Sequence, residues 1–172
     1  MTERQIILMA AFYLLELGAV IYFARPTIRR SIGALAGGAV VGLMMLGAIA
    51  LGNIQGWWQV PFASTPFFLP LLYLASAISC APIYLVTWRV ARRFGGRGLA
   101  VSTGIVAVVG PARDYWIAAT FPQWMVFAPG ILPILADSAT YVGILLLGHA
   151  VMRLVAGPAL EDQLARRSRE AP

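Results

Sequence analysis

Five apolar runs, each long enough to cross a bilayer, alternate with connections that carry either several arginines or no charge. The runs cover residues 5–24, 31–52, 67–90, 99–120 and 133–156. As helices rising 1.5 Å per residue, each can span ~30 Å of hydrocarbon. Lipid offers no partner to a backbone N–H or C=O, so each run must satisfy its own hydrogen bonds. That leaves helices for runs of this length. The chain is 60% hydrophobic and 12% charged, whereas a soluble domain carries roughly 25% charged residues. The expected fold is therefore an all-α integral membrane protein. Five transmembrane helices form one bundle over residues 1–158, followed by a short polar tail over 159–172.

The charges orient the bundle. All thirteen basic residues are arginine, against seven acids. Arg25, Arg29 and Arg30 follow the first run. Arg89, Arg92, Arg93 and Arg97 follow the third, and Arg153, Arg166, Arg167 and Arg169 follow or close the fifth. Those eleven fall on one side if all five runs cross. The connections 53–66 and 121–132 hold no charge. Cytoplasmic loops are the basic ones, which predicts an outside N-terminus and a cytoplasmic C-terminus in a multi-pass protein of the plasma (inner) membrane. The first run ends in arginines and has no small-residue cleavage signature, so it reads as an uncleaved spanning helix. In the tail, Asp162 and Arg166 are four apart and can support a helical turn.

The same pattern excludes other classes. Arginines confined to the ends of apolar runs mark membrane topology, not a nucleic-acid surface. The single cysteine, Cys80, lies inside an apolar run and reads as a packed core residue. The single histidine, His149, lies about 18 Å along the last run from Asp137, too far to pair with it. It reads as a packed or interfacial residue. No metal-ligand spacing, serine elbow, P-loop or dinucleotide fingerprint is present, so no metal or cofactor is expected.

The stretch from Gly110 to Tyr141 departs most from plain lipid-facing sequence. It holds Arg113, Asp114 and Asp137, four prolines, and the aromatics Tyr115, Trp116, Phe121, Trp124, Phe127 and Tyr141. Charges at membrane depth are costly and tend to be paired or functional. Gly110-Pro111 is expected to break the fourth helix, because proline removes a backbone donor. Arg113 and Asp114 are sequence neighbours and point about 100° apart on a helix. The expected partner of Arg113 is therefore Asp137 on the next crossing, held directly or through one water, with Tyr141 as a further partner. Glu16 lies ~15 Å into the first helix. A carboxylate there must be paired, wetted or neutral, with Tyr13 or a tyrosine of a neighbouring helix as the expected partner.

Together these residues predict a polar site in the outer half, under aromatic connections containing Trp57, Trp58 and Trp124. Such a site would bind or modify a membrane lipid or another lipophilic molecule, an isoprenoid being one candidate. Its binding residues would be Arg113, Tyr115, Trp116, Tyr141, Trp57, Trp58 and Trp124. In a catalytic version, Glu16, Asp114 or Asp137 acts as general acid, and aromatic faces stabilise a developing carbocation. Two alternatives compete. Gly33, Gly37, Gly38 and Gly42 make small-residue ladders that let another helix approach closely. That approach serves either this bundle, or a homo-oligomer or membrane partner, the last making the chain an accessory or scaffold subunit. The other alternative is a small proton-coupled transporter relaying through Glu16 and Asp137. The lack of an internal repeat weighs against it.

Overall fold

The computed structural model describes residues 3–61 and 68–157. The expected tail helix over 159–172 lies outside the described residues. The chain is mostly helical, in the order α1 (Glu3–Ala24), α2 (Ile28–Ile54), β1 (Trp58–Gln59), α3 (Phe68–Thr120), β2 (Val126–Phe127) and α4 (Ile131–Ala156). Three of the helices, α2, α3 and α4, are long and apolar enough to cross a membrane. The strongly apolar part of α1, Ala10–Ala24, is shorter.

Helix α3 has 53 residues, which as one straight rod would measure ~80 Å. It is not straight. Gly95 has φ 62 and ψ −145, outside the helical region, and divides α3 into two arms. Connectivity requires those arms to bend sharply. β1 and β2 pair antiparallel, Trp58 opposite Phe127 and Gln59 opposite Val126. The short connections from this ladder to Phe68 and from Thr120 leave the two ends of α3 at most ~60 Å apart, even fully extended. Gly98 confirms the turn locally. A methyl group placed on it would stand 2.8 Å from the Val90 carbonyl and 2.9 Å from Phe94 Cβ. Along an unbroken helix, positions 90 and 98 lie ~12 Å apart. A positive φ with extended ψ is open to glycine and closed to nearly every other residue, so the reversal depends on Gly95.

The expected break at Gly110-Pro111 is not where α3 departs from helix. Both residues are buried within it, and Gly95 is the only non-helical position inside the element. A proline can sit inside a membrane helix when its neighbours take up the freed backbone groups. Gly110 has a packing role instead: a Cβ there would meet the Tyr141 ring at 2.5 Å.

The core lies among α2, α3 and α4, with Ala34, Val41, Tyr84, Leu85, Leu145 and Met152 fully enclosed. Helix α1 packs against α3. The glycine ladder of α2 is used within the chain. Gly33 faces the Met152 backbone, Gly37 faces the Gly148 carbonyl, and Gly38 faces the backbone of Ser76 and Ala77. Gly42 lies against Ser76 and Tyr73. Gly148 in turn receives the Tyr84 ring, whose hydroxyl donates to the Ile144 carbonyl at 3.2 Å. At the opposite end from the strands, buried Arg30 donates to the Gly157 carbonyl at 3.1 Å and stacks over Trp88 at 4.3 Å. It therefore ties the C-terminal end of α4 to α2 and α3. His149 is buried on the same stretch of α4.

This packing sets a contrast along one helix. Gly37→Ala drives a methyl into backbone that cannot rotate away, and should lower stability by about 1–3 kcal/mol. Gly47→Ala, with nothing within 4 Å, should be neutral or stabilise by up to about 1 kcal/mol. Thermal unfolding of the two purified variants in detergent checks this. Equal effects would mean that α2 and α4 do not meet at these glycines.

Candidate functional site

The site lies at the strand end of the bundle, where the second arm of α3 meets α4 below β1 and β2. Arg113 and Asp114 stand on α3. Asp137, Thr140 and Tyr141 stand on α4. Residues three and four apart share a helix face, so Asp137 and Tyr141 project the same way.

Arg113 does not pair with Asp137. Its Nε and Nη2 donate to Asp114 Oδ1 at 3.1 and 2.9 Å. Nη2 also donates to the Tyr141 hydroxyl at 2.7 Å, and that hydroxyl donates to Asp114 Oδ2 at 2.8 Å. The three side chains close a ring. Adjacent positions on a helix point apart at Cβ, which argues against a direct pair, but two long side chains can bend toward a third group. Tyr141 supplies that group from α4. Arg113 is thus held by charge and by hydrogen bonds to partners on both helices. The expectation for Tyr141 stands; a direct bond to Asp137 is corrected.

Asp137 is left with a different environment. It is 7% exposed, and its Oδ2 is buried with no hydrogen-bond partner among the described residues. It lines a cavity of about 70 Å³ with Asp114, Thr140, Tyr141, Ile144, Trp58, Phe127 and Met125, closed from α2 by Met45, Ala48 and Ile49. Trp58 and Phe127 face each other across the β1–β2 pair at 6.0 Å and form the cover. The Ala128 amide donates to the Trp57 carbonyl at 2.8 Å and extends the tie between the two connections.

A second, wider space lies outside this one. A groove of about 310 Å³ between the second arm of α3 and α4 is lined by Ala107, Val108, Pro111, Ala112, Tyr115, Ile134 and Ser138. Tyr115 stacks on Phe127 at 4.1 Å, and its hydroxyl is buried with no partner among the described residues. The stacked pair is shared between the two spaces: Tyr115 lines the groove and Phe127 lines the cavity.

The other expected site residues are placed as follows. Trp57 is half-buried beside Trp58, at 6.0 Å and tilted. Trp124 stacks on Phe121 at 4.7 Å and lines neither space. Trp116 is exposed on the outside of α3. Glu16 is half-buried on α1, within electrostatic reach of Tyr13 and Cys80, and makes no hydrogen bond among the described residues. It does not line the cavity that holds Asp114 and Asp137. Tyr13, its neighbour on α1, lies within electrostatic reach of Arg113. Sequence reading named Phe127 among the aromatics of this stretch but gave it no part in the site, and it did not single out Met125, Thr140 or the α2 residues of the wall. Phe127 sits in a charge-free aromatic connection, and its strand pairing has no signal in composition.

The closed ring sets a prediction. Tyr141→Phe keeps the aromatic face against Gly110 and removes both hydroxyl bonds, which should cost about 1–3 kcal/mol. In a cycle of Arg113→Leu and Asp114→Leu, coupling should reach at least about 0.5 kcal/mol. Read by unfolding in detergent, additive losses in that cycle would mean the ring does not form.

No protein-family model matches this chain, and neither the curated proteins nor the solved structures contain one similar to it.

Proposed function

We propose that this is a five-crossing membrane protein that binds an amphiphile in the outer half of the bilayer, with Asp137 at the inner end of the site. The N-terminus lies outside and the C-terminus in the cytoplasm, with the arginine-rich reversal at Gly95 on the cytoplasmic face of the plasma membrane. Two observations support five crossings. The arms of α3 fold back on each other at Gly95, and the charge-free connections are stitched together at one end while Arg30 and Gly157 meet at the other.

One observation carries the binding reading: a nearly buried carboxyl group with an unpartnered oxygen lines a cavity covered by aromatic side chains. Buried polar atoms are nearly always satisfied, and an exception calls for a missing partner. At about 70 Å³ the cavity is far smaller than the roughly 300 Å³ at which drug-sized pockets begin. It takes only the head of a molecule. The body of an amphiphile fits the outer groove between α3 and α4, reached by rotation of Tyr115 away from Phe127. Because Arg113, Asp114 and Tyr141 satisfy one another, any acid chemistry at the site runs through Asp137.

Two measurements test this. On a Cys80→Ala background, Arg93→Cys should label only from the cytoplasm and Gln123→Cys only from outside; the reverse for either removes the topology. Native mass spectrometry of protein released from membranes should show a saturable one-to-one adduct. Asp137→Asn should lower its occupancy at least tenfold, while Leu154→Ala, exposed at the far end of α4, should leave it unchanged. Equal occupancy in both variants would place the ligand elsewhere.

A further inference from the structure

The lining of the cavity specifies what its occupant must offer. Its hydroxyl hydrogens are already committed. Tyr141 donates to Asp114 at 2.8 Å, and Thr140 donates to the Ala136 carbonyl at 2.9 Å. The Arg113 guanidinium, the nearby cation, gives Nε and Nη2 to Asp114 and Tyr141 and does not line the cavity. The Trp58 indole nitrogen lies against Gly52. What remains toward the space are acceptors and π faces: the free Asp137 oxygen, the thioether of Met125, and the rings of Trp58, Phe127 and Tyr141. Two carboxyl groups share the cavity with one guanidinium beside it. When both acids are ionised, the site is one positive charge short.

We infer that the head group taken by this cavity is a compact protonated amine, held by Asp137 and faced by Trp58, Phe127 and Tyr141. This deepens the proposed function and rests on that reading of the cavity as a binding site. An alkylammonium brings up to three donors to a wall whose hydroxyl donors are already used, and supplies the missing charge. Aromatic faces attract such cations when water is excluded. A carboxylate or phosphate head would meet Asp137 with like charge and find the hydroxyl donors of the lining already used. A hydroxyl head would satisfy one oxygen and leave the charge uncompensated. The volume admits an ammonium group and its first carbons, with the rest of the chain passing Tyr115 into the apolar groove.

The test compares three eight-carbon probes that differ only at the head: n-octylamine, n-octanol and n-octanoate. Each is titrated calorimetrically at neutral pH into the intact protein in phosphatidylcholine nanodiscs, with empty nanodiscs as reference. Octylamine should bind at one site per chain, at least tenfold more tightly than octanol, and octanoate should not bind. Asp137→Asn should weaken octylamine at least tenfold and change octanol far less. If octanol matches octylamine, if octanoate binds more tightly, or if folded Asp137→Asn keeps full octylamine affinity, the amine assignment is overturned while lipophile binding stands. If none of the three binds saturably, the binding reading itself fails and takes this inference with it. Should Asp137→Asn not fold, the amine–alcohol ratio on the unaltered protein decides alone.

Discussion

The bundle depends on how closely α2 and α4 approach. At Gly37 and Gly148 the two backbones meet with no side chain between them. In a bilayer, lipid tails compete for every apolar surface, so helices are joined by close van der Waals packing and not by exclusion of water. Gly148 serves both sides, taking Gly37 from α2 and the Tyr84 ring from α3. That shared point fixes the rotation of α4. With it go the positions of Ile144 and Tyr141 one and two turns away, and hence of Asp137. The cavity is thus set by a packing event that includes none of its acidic residues.

Charge placement follows the same economy. An arginine in the hydrocarbon region needs partners on hand. Arg113 finds them in its own neighbour and in a tyrosine that already packs against Gly110. Tyr141 therefore serves as a spacer between helices through its ring and as a bridge between charges through its hydroxyl. Because that ring is complete without Asp137, the second acid carries no evident part in holding the bundle together.

Helical class and the ends of most helices could be read from the sequence, because apolar run length and arginine position are one-dimensional signals. The third and fourth runs, read as 67–90 and 99–120, correspond to the two arms of α3, with Gly95 in the gap between them. What could not be read was anything that depends on how helices face one another. Pro111 looked like a break because the chain does not reveal that Tyr141 would fill the space beside Gly110. Asp137 looked like the partner of Arg113 because matching depth was visible and rotation was not. Asp114, Asp137, Tyr141 and Trp58 do meet, whereas Glu16 and Trp116 lie elsewhere. Their chemistry was suitable, but the direction in which each helix presents them is a property of packing.

The two-residue strands have a consequence for traffic. Backbone hydrogen bonds join the charge-free connections into a single plate over the cavity. To lift it, a molecule leaving upward would have to break several main-chain bonds at once and expose Trp58, which is 6% exposed. A sideways path disturbs only the stacking of Tyr115 on Phe127. For an amphiphile bound as proposed, exchange is governed by the membrane rather than by the aqueous phase. The concentration that matters is the one dissolved in the surrounding lipid, and a compound's partition into lipid weighs on occupancy as much as its fit.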